Sequence, residues 1–209
     1  MNKRQLQTFA WLVSSAAVAT AVVAWGHVYD WQLQGLSIYQ LFPLFGLMAF
    51  SLMWAHYIAS VARQHFGLEK DVLTDYFELT SGMVLVLILA HPGLLAWQRW
   101  RDGFGLPPGS EIDYLGPLMR SSIILGMVAL TAFLAYEFRR VFMTKKWWRY
   151  VEFATDTAMV LIYIHALRLG GQLQTGWFRG VWVFYGVTLG GSLAYIYYRK
   201  ITSKHPLSL

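Results

Sequence analysis

Residues 79–98 read LTSGMVLVLILAHPGLLAWQ, twenty residues without an Asp, Glu, Lys or Arg. An α-helix of that length covers about 30 Å, the thickness of a bilayer's hydrocarbon core. A soluble core helix is seldom so long and so apolar on every side. Earlier in the chain the pattern repeats: residues 8–28 and 41–62 are also free of formal charge. Over the 209 residues only 13% are charged, against about 25% in soluble domains. The pattern predicts spans over residues 8–28, 40–62, 77–98, 116–138, 149–169 and 178–198. The expected fold is an all-α integral membrane protein, a six-helix transmembrane bundle forming a single domain over residues 1–209.

Trp and Tyr favour the membrane–water interface because their rings are amphipathic. The expected belts are Trp25 and Trp31, Trp97 and Trp100, Trp147 and Trp148, and Trp177 and Trp182. Basic residues set the orientation. With the N-terminus in the cytoplasm, twelve fall inside: Lys3, Arg4, Arg63, Lys70, Arg139, Arg140, Lys145, Lys146, Arg149, Arg199, Lys200 and Lys204. Five fall outside: Arg99, Arg101, Arg120, Arg168 and Arg179. Both termini are therefore expected in the cytoplasm, in a multi-pass protein of the inner membrane whose first partner is lipid. The net charge of +6 sits at span ends, which argues against nucleic acid. The short basic loop 137–149 suits anionic lipid or an acidic partner. The loop 99–115 carries Gly-Leu-Pro-Pro-Gly at 105–109, which is turn chemistry. In the last span Gly186 and Gly190 have the spacing of close helix packing.

The chain has no cysteine. That excludes thiolate-held iron–sulfur clusters, disulfides and the Cys-x-x-Cys-His attachment of c-type haem. The first apolar run is longer than a leader's core and is read as a span. Six spans leave no room in these residues for a soluble domain, so a flavin- or nicotinamide-binding module is expected on another protein.

Residues 76–91 and 150–165 resemble each other. Tyr76-Phe77-Glu78 is followed at equal spacing by Val86-Leu87-Ile88 and His91. Tyr150-Val151-Glu152 is followed by Val160-Leu161-Ile162 and His165. Both spans run the same way, so a pseudo-twofold axis can relate them and set each pair at one depth. The histidines form an outer layer and the glutamates an inner one, roughly 20 Å apart. Thirteen steps of 100° also leave Glu and His roughly 140° apart around a straight helix, so both face one cavity only with a π-bulge or strong bending.

Neutral imidazoles presented from two helices are good axial ligands for haem iron. One b-type haem near the outer face, held by His91 and His165, is the expected cofactor. Arg168, one turn from His165, and Arg120 are candidate propionate partners. The plainer alternative is two separate histidines, each satisfied by a hydroxyl or a carbonyl.

The stretch Lys145-Lys146-Trp147-Trp148-Arg149-Tyr150-Val151-Glu152, with His165 thirteen residues on, resembles the fifth helix of the ferric reductase-like transmembrane domain family. Gly116-Pro117-Leu118-Met119-Arg120-Ser121-Ser122-Ile123-Ile124-Leu125-Gly126 through Phe138-Arg139-Arg140 resembles its fourth. The resemblance covers most of the chain. The family includes the haem subunit of the methionine sulfoxide reductase system and single-haem metalloreductases. It implies a six-helix bundle with histidine ligands on the third and fifth helices. Where many members carry an inner histidine, this chain has Glu152, so the resemblance implies one haem, with the inner layer lost or replaced. Single-haem members bind a flavin on the inner side, which extends that expectation to this chain.

Glu78, Glu152, Asp156 and His56 fall in the inner halves of their spans, where charge is costly and usually paired or functional. They can pair structurally with each other or with Arg149, relay protons or face a quinone or flavin, or bind iron or manganese together. His27, His65 and His205 are read as interfacial, with His27 a minor substrate contact at the outer face. The expected function is transmembrane electron transfer, as a membrane haem oxidoreductase subunit, from a soluble flavoprotein or a quinol to a ferric complex or periplasmic acceptor. The alternatives are a haem-free protein that binds metal or moves protons through the inner cluster, and a structural subunit with no cofactor.

Overall fold

The structure is a computed structural model that describes residues 1–112, 114–174 and 176–202, with all of their side chains except that of Arg140. Among these residues the chain is helical, without strands. Six long helices are α1 (Lys3–Val28), α2 (Ile38–His65), α3 (Thr74–Arg101), α5 (Arg120–Tyr136), α7 (Trp148–Leu169) and α8 (Trp177–Thr202). Two single turns, α4 (Gly109–Ile112) and α6 (Arg139–Phe142), and three short 3-10 turns join them.

Local chemistry starts and bends these helices. Asn2 Oδ1 accepts the Gln5 backbone N–H at 2.9 Å and Gln5 Oε1 accepts that of Asn2 at 2.9 Å, a capping box that opens α1. At the head of α2 the Gln40 side chain accepts the Ser37 N–H at 2.8 Å. Pro43 lies inside α2 and Pro92 inside α3. Each lacks an N–H and so releases a carbonyl one turn earlier.

Four segments are long and apolar enough to cross a membrane: Lys3–Val28, Ile38–His65, Lys70–Arg101 and Pro117–Tyr136. The other two long helices fall short of that standard for readable reasons. Glu152 and Asp156 sit in the first half of α7. In α8, Tyr, Trp and four glycines dilute the aliphatic content. Large apolar side chains cover the outside as well as the inside; Leu12, Met83, Val86, Ile124, Val128, Val160 and Val187 are all exposed. Such an exterior is consistent with contact to lipid.

Helix α2 lies at the centre, against α1, α3 and α8, while α5 pairs with α7. Aromatic rings fill the seam between α2, α7 and α8. Phe50 packs on Trp182 at 4.4 Å, Trp54 on Tyr185 at 4.3 Å, and Tyr163 stacks on Trp182 at 6.0 Å. This corrects the belt reading of Trp182, which is 0% exposed. Trp25 and Trp148 are buried too, and Trp25 donates its indole N–H to the Gln40 carbonyl at 2.7 Å. Trp31, Trp97, Trp100, Trp147 and Trp177 are exposed as a belt requires. Of the two spaced glycines in α8, Gly186 packs under Tyr163, whereas a β-carbon on Gly190 would meet nothing within 4 Å. Lys204 and His205 lie outside the described residues.

Candidate functional site

Two histidines hang into one cavity of about 360 Å³ at the α4 end of the molecule. His91 comes from α3 and His165 from α7. Their ring centroids are 6.5 Å apart and their planes cross at 84°. The two are seated alike. His91 Nδ1 donates to the carbonyl of Phe42 at 2.8 Å, and His165 Nδ1 to that of Ser122 at 2.7 Å. A carbonyl only accepts, so Nδ1 carries the hydrogen and Nε2 keeps the lone pair. Among the described residues neither Nε2 has a hydrogen-bond partner. Four residues after each carbonyl comes a glycine against which the ring lies. A β-carbon at Gly46 would approach His91 Nδ1 and Cε1 to 2.9 Å, and one at Gly126 would approach His165 Cε1 to 2.6 Å. Carbonyl, glycine and ring thus form one motif, made once by α2 with α3 and once by α5 with α7.

The walls are mostly hydrocarbon: Leu47, Phe50, Met53, Ile88, Leu130 and Phe133 among them. Polar groups gather at the α4 end, where Tyr29, Tyr39, Tyr114, Gln172 and Glu111 line the space. Glu111 is 8% exposed, and neither carboxylate oxygen has a hydrogen-bond partner among the described residues. The Arg99 guanidinium lies 4.0 Å from the Phe104 ring centroid and 5.3 Å from that of Tyr114. Tyr39 stacks on Tyr114 at 5.7 Å and donates to Asp102 Oδ2 at 2.6 Å. That bond, with a second from Gln98, holds the Asp102 carboxyl below its ordinary value of 3.8.

A second cavity of about 390 Å³ lies below the first. Met53, Ile88 and Phe133 line both. Its polar wall holds His56, Tyr57, Glu152 and Asp156, with Arg63, Lys70 and Arg139 also around it. Asp156 accepts from Tyr57 at 2.7 Å and from Tyr197 at 2.8 Å. His56 Nε2 bonds Thr80 Oγ1 at 2.7 Å, and its ring meets those of Tyr76 and Phe77 edge-on.

The sequence expectations divide here. His91 and His165 come together. Arg168 reaches only Ser121 Oγ, at 3.4 Å, and neither it nor Arg120 lines the cavity. Glu78 is exposed and lines neither cavity. Helix α3 runs unbroken as an α-helix, so the angular offset between Glu78 and His91 stands. The repeat also fails at its tyrosines: Tyr76 is 2% exposed and bonded to Ser14, whereas Tyr150 is 61% exposed. Glu152, Asp156 and His56 do share a cavity. Yet no group of three or more His, Asp or Glu side chains arranged to hold a metal ion occurs among the described residues. The two tyrosines and Thr80 already engage Asp156 and His56. His27 and His65 are exposed near helix ends, as expected of interfacial residues.

Glu111, Arg99, Tyr57 and Tyr197 escaped the sequence reading. The two glycine seats did carry a signal. A mid-helix glycine is destabilising by roughly 0.5–1 kcal/mol relative to alanine, so Gly46 and Gly126 imply a neighbour that needs the space. Comparison with known protein-family models gives no match, and comparisons with curated proteins and with solved structures give none either.

Proposed function

We propose that this chain is a six-span haem b protein of the ferric reductase-like type that passes electrons across the inner membrane, with His91 and His165 as axial ligands. The observation that carries the reading is the matched pair of histidine seats. The ring centroids are 6.5 Å apart, so the two imidazoles could hold one metal-centred group between them. Both Nδ1–H groups are anchored on carbonyls, which fixes the tautomer and leaves Nε2 for a metal. The cavity has the size and apolar walls of a cofactor site, and its two glycines keep β-carbons out of it.

A bound haem would supply a one-electron couple there. The chain's own residues orient the two imidazoles, exclude water with Leu47, Phe50 and Leu130, and set the polar groups at one end only. The lower cavity supports a flavin or quinone site, because aromatic rings and the cations Arg63, Lys70 and Arg139 surround it. In this reading both termini and the lower cavity face the cytoplasm. A soluble flavoprotein or a quinol delivers electrons there, and a periplasmic acceptor takes them at the α4 end.

The test is a reduced-minus-oxidised visible spectrum of the purified protein, with a pyridine haemochrome assay. The expected result is sharp low-spin b-type bands at about one haem per chain, lost in His91→Ala and His165→Ala and kept in His56→Ala. A colourless protein after expression with ample haem overturns the reading. The second reading is haem-free proton movement through the lower cavity. The Tyr57–Asp156–Tyr197 network beside Glu152 favours it, and a colourless protein would leave it standing.

A further inference from the structure

We infer that Glu111 is a redox-linked proton-binding group: its carboxylate takes up one proton from the α4 face when an electron reaches the cofactor held by His91 and His165. The inference rests on the haem reading above and concerns what this chain's own residues do around that group.

The starting point is an unpaid electrostatic cost. Burying a carboxylate is unfavourable unless it is paired or hydrogen-bonded, and charge at membrane depth is usually functional. Glu111 is more than nine-tenths buried, both of its oxygens lack partners, and it lines the same cavity as the two histidines. No described cation is hydrogen-bonded to either of its oxygens. Helix α4 packs on α3 and α5. From the α3 side come Arg99, whose guanidinium lies over the Phe104 and Tyr114 rings, Asp102, which accepts from Tyr39, and His91, whose Nδ1–H is bonded to Phe42. From α5 comes Arg120, at the helix start and outside the cavity lining. Tyr29, Tyr39, Tyr114 and His165 line the same cavity, the last anchored on Ser122.

The charge state of Glu111 therefore depends on what else occupies the cavity. A ferric group held by His91 and His165 would add positive charge to the cavity, which would favour the carboxylate form of Glu111. Reduction of that group by one electron would cancel the added charge, and the Glu111 carboxylate would lose its counterweight in a medium that screens poorly. A proton on Oε1 or Oε2 restores the balance. One O–H bond would form on Glu111 as one breaks in a hydronium ion at the α4 end, and the one electron that reduces the bound group would come from the donor. Reoxidation releases it to the same side. Among the described residues that line the cavity, the histidines have their Nδ1–H groups committed to carbonyls, and Glu111 is the carboxylate.

The test is a redox titration of the haem-loaded protein from pH 5 to 9. The expected wild-type midpoint potential falls with rising pH, with a slope approaching about 59 mV for each tenfold change in proton concentration, the value for one electron. Glu111→Gln should flatten the slope while keeping haem content, and Glu111→Asp should retain it. A flat wild-type slope, or a wild-type slope in Glu111→Gln, overturns the inference. Should Glu111→Gln fail to fold, reduced-minus-oxidised infrared spectra decide. A protonated-carboxyl band in the reduced state, shifted in D2O and displaced in Glu111→Asp, supports it; absence of that band overturns it. A wild type without haem fails the proposed function and this inference together. A haem-loaded wild type with a flat slope fails this inference alone.

Discussion

The ring of His165 rests so closely on Gly126 that a β-carbon there would come within 2.6 Å of Cε1 and 2.7 Å of Nδ1. Gly46 stands to His91 in the same way. Gly126→Ala and Gly46→Ala should each cut haem content several-fold by displacing an imidazole. The helices themselves should not suffer, because alanine is the better helix former by roughly 0.5–1 kcal/mol. Gly190→Ala, where nothing lies within 4 Å, is the control and should keep its haem. Haemochrome assays on the three variants check this; full occupancy in Gly126→Ala would mean that the seat is not a constraint.

Asp156 ties α7 to α2 through Tyr57 and to α8 through Tyr197. Hydrogen bonds to a charged group contribute about 1.5–3 kcal/mol. Asp156→Ala should lower the unfolding midpoint in detergent, by more than either Tyr57→Phe or Tyr197→Phe, because it strands both phenols. A melting curve that does not move would assign the network a role other than holding helices together.

Tyr39 and Gln98 both donate to Asp102 and hold its carboxyl below 3.8. A carboxyl depressed in the folded state stabilises that state above its unfolded value and loses the contribution as pH falls through the folded one. The contact between the start of α2 and the end of α3 should therefore weaken only below pH 3.8. Tyr39→Phe should move the Asp102 titration up toward its ordinary value, read by carboxyl carbon NMR. An unmoved titration would assign the depression to Gln98 and the neighbouring arginines.

Arg168→Ala and Arg120→Ala should leave haem content within about twofold of wild type, a free-energy change of about 0.4 kcal/mol at most, since neither lines the cavity. A larger loss by the haemochrome assay would restore them as propionate partners.

The helices around His91 were legible because uncharged runs of twenty residues leave few alternatives. The histidine pair was legible because equal spacing on parallel helices implies equal depth. Glu78 illustrates the limit. The repeat grouped it with Glu152, but thirteen residues of unbroken helix turn it away from His91, and the angular arithmetic was the better guide. Glu111 was hidden for a different reason. It sits in a single turn within a Pro- and Gly-rich loop, and nothing in that stretch announces that the turn folds over a cavity. Tyr57 and Tyr197 were hidden because tyrosine near a span end reads as belt, and only the helix packing turns their hydroxyls toward Asp156. Trp182 misled in the same way, its aromatic character being spent on Phe50 and Tyr163.

Met53, Ile88 and Phe133 belong to the walls of both cavities. A wall built from these shared apolar side chains discriminates between two kinds of particle. It offers no polar atom on which a hydrated ion or a proton can pause, so it insulates against them. An electron needs only short range between orbitals on either side, and the two cavities share this wall. On the electron-carrier reading, current through this septum is purely electronic: protons taken up or given off at one end stay there, and each turnover charges the bilayer as it would a capacitor.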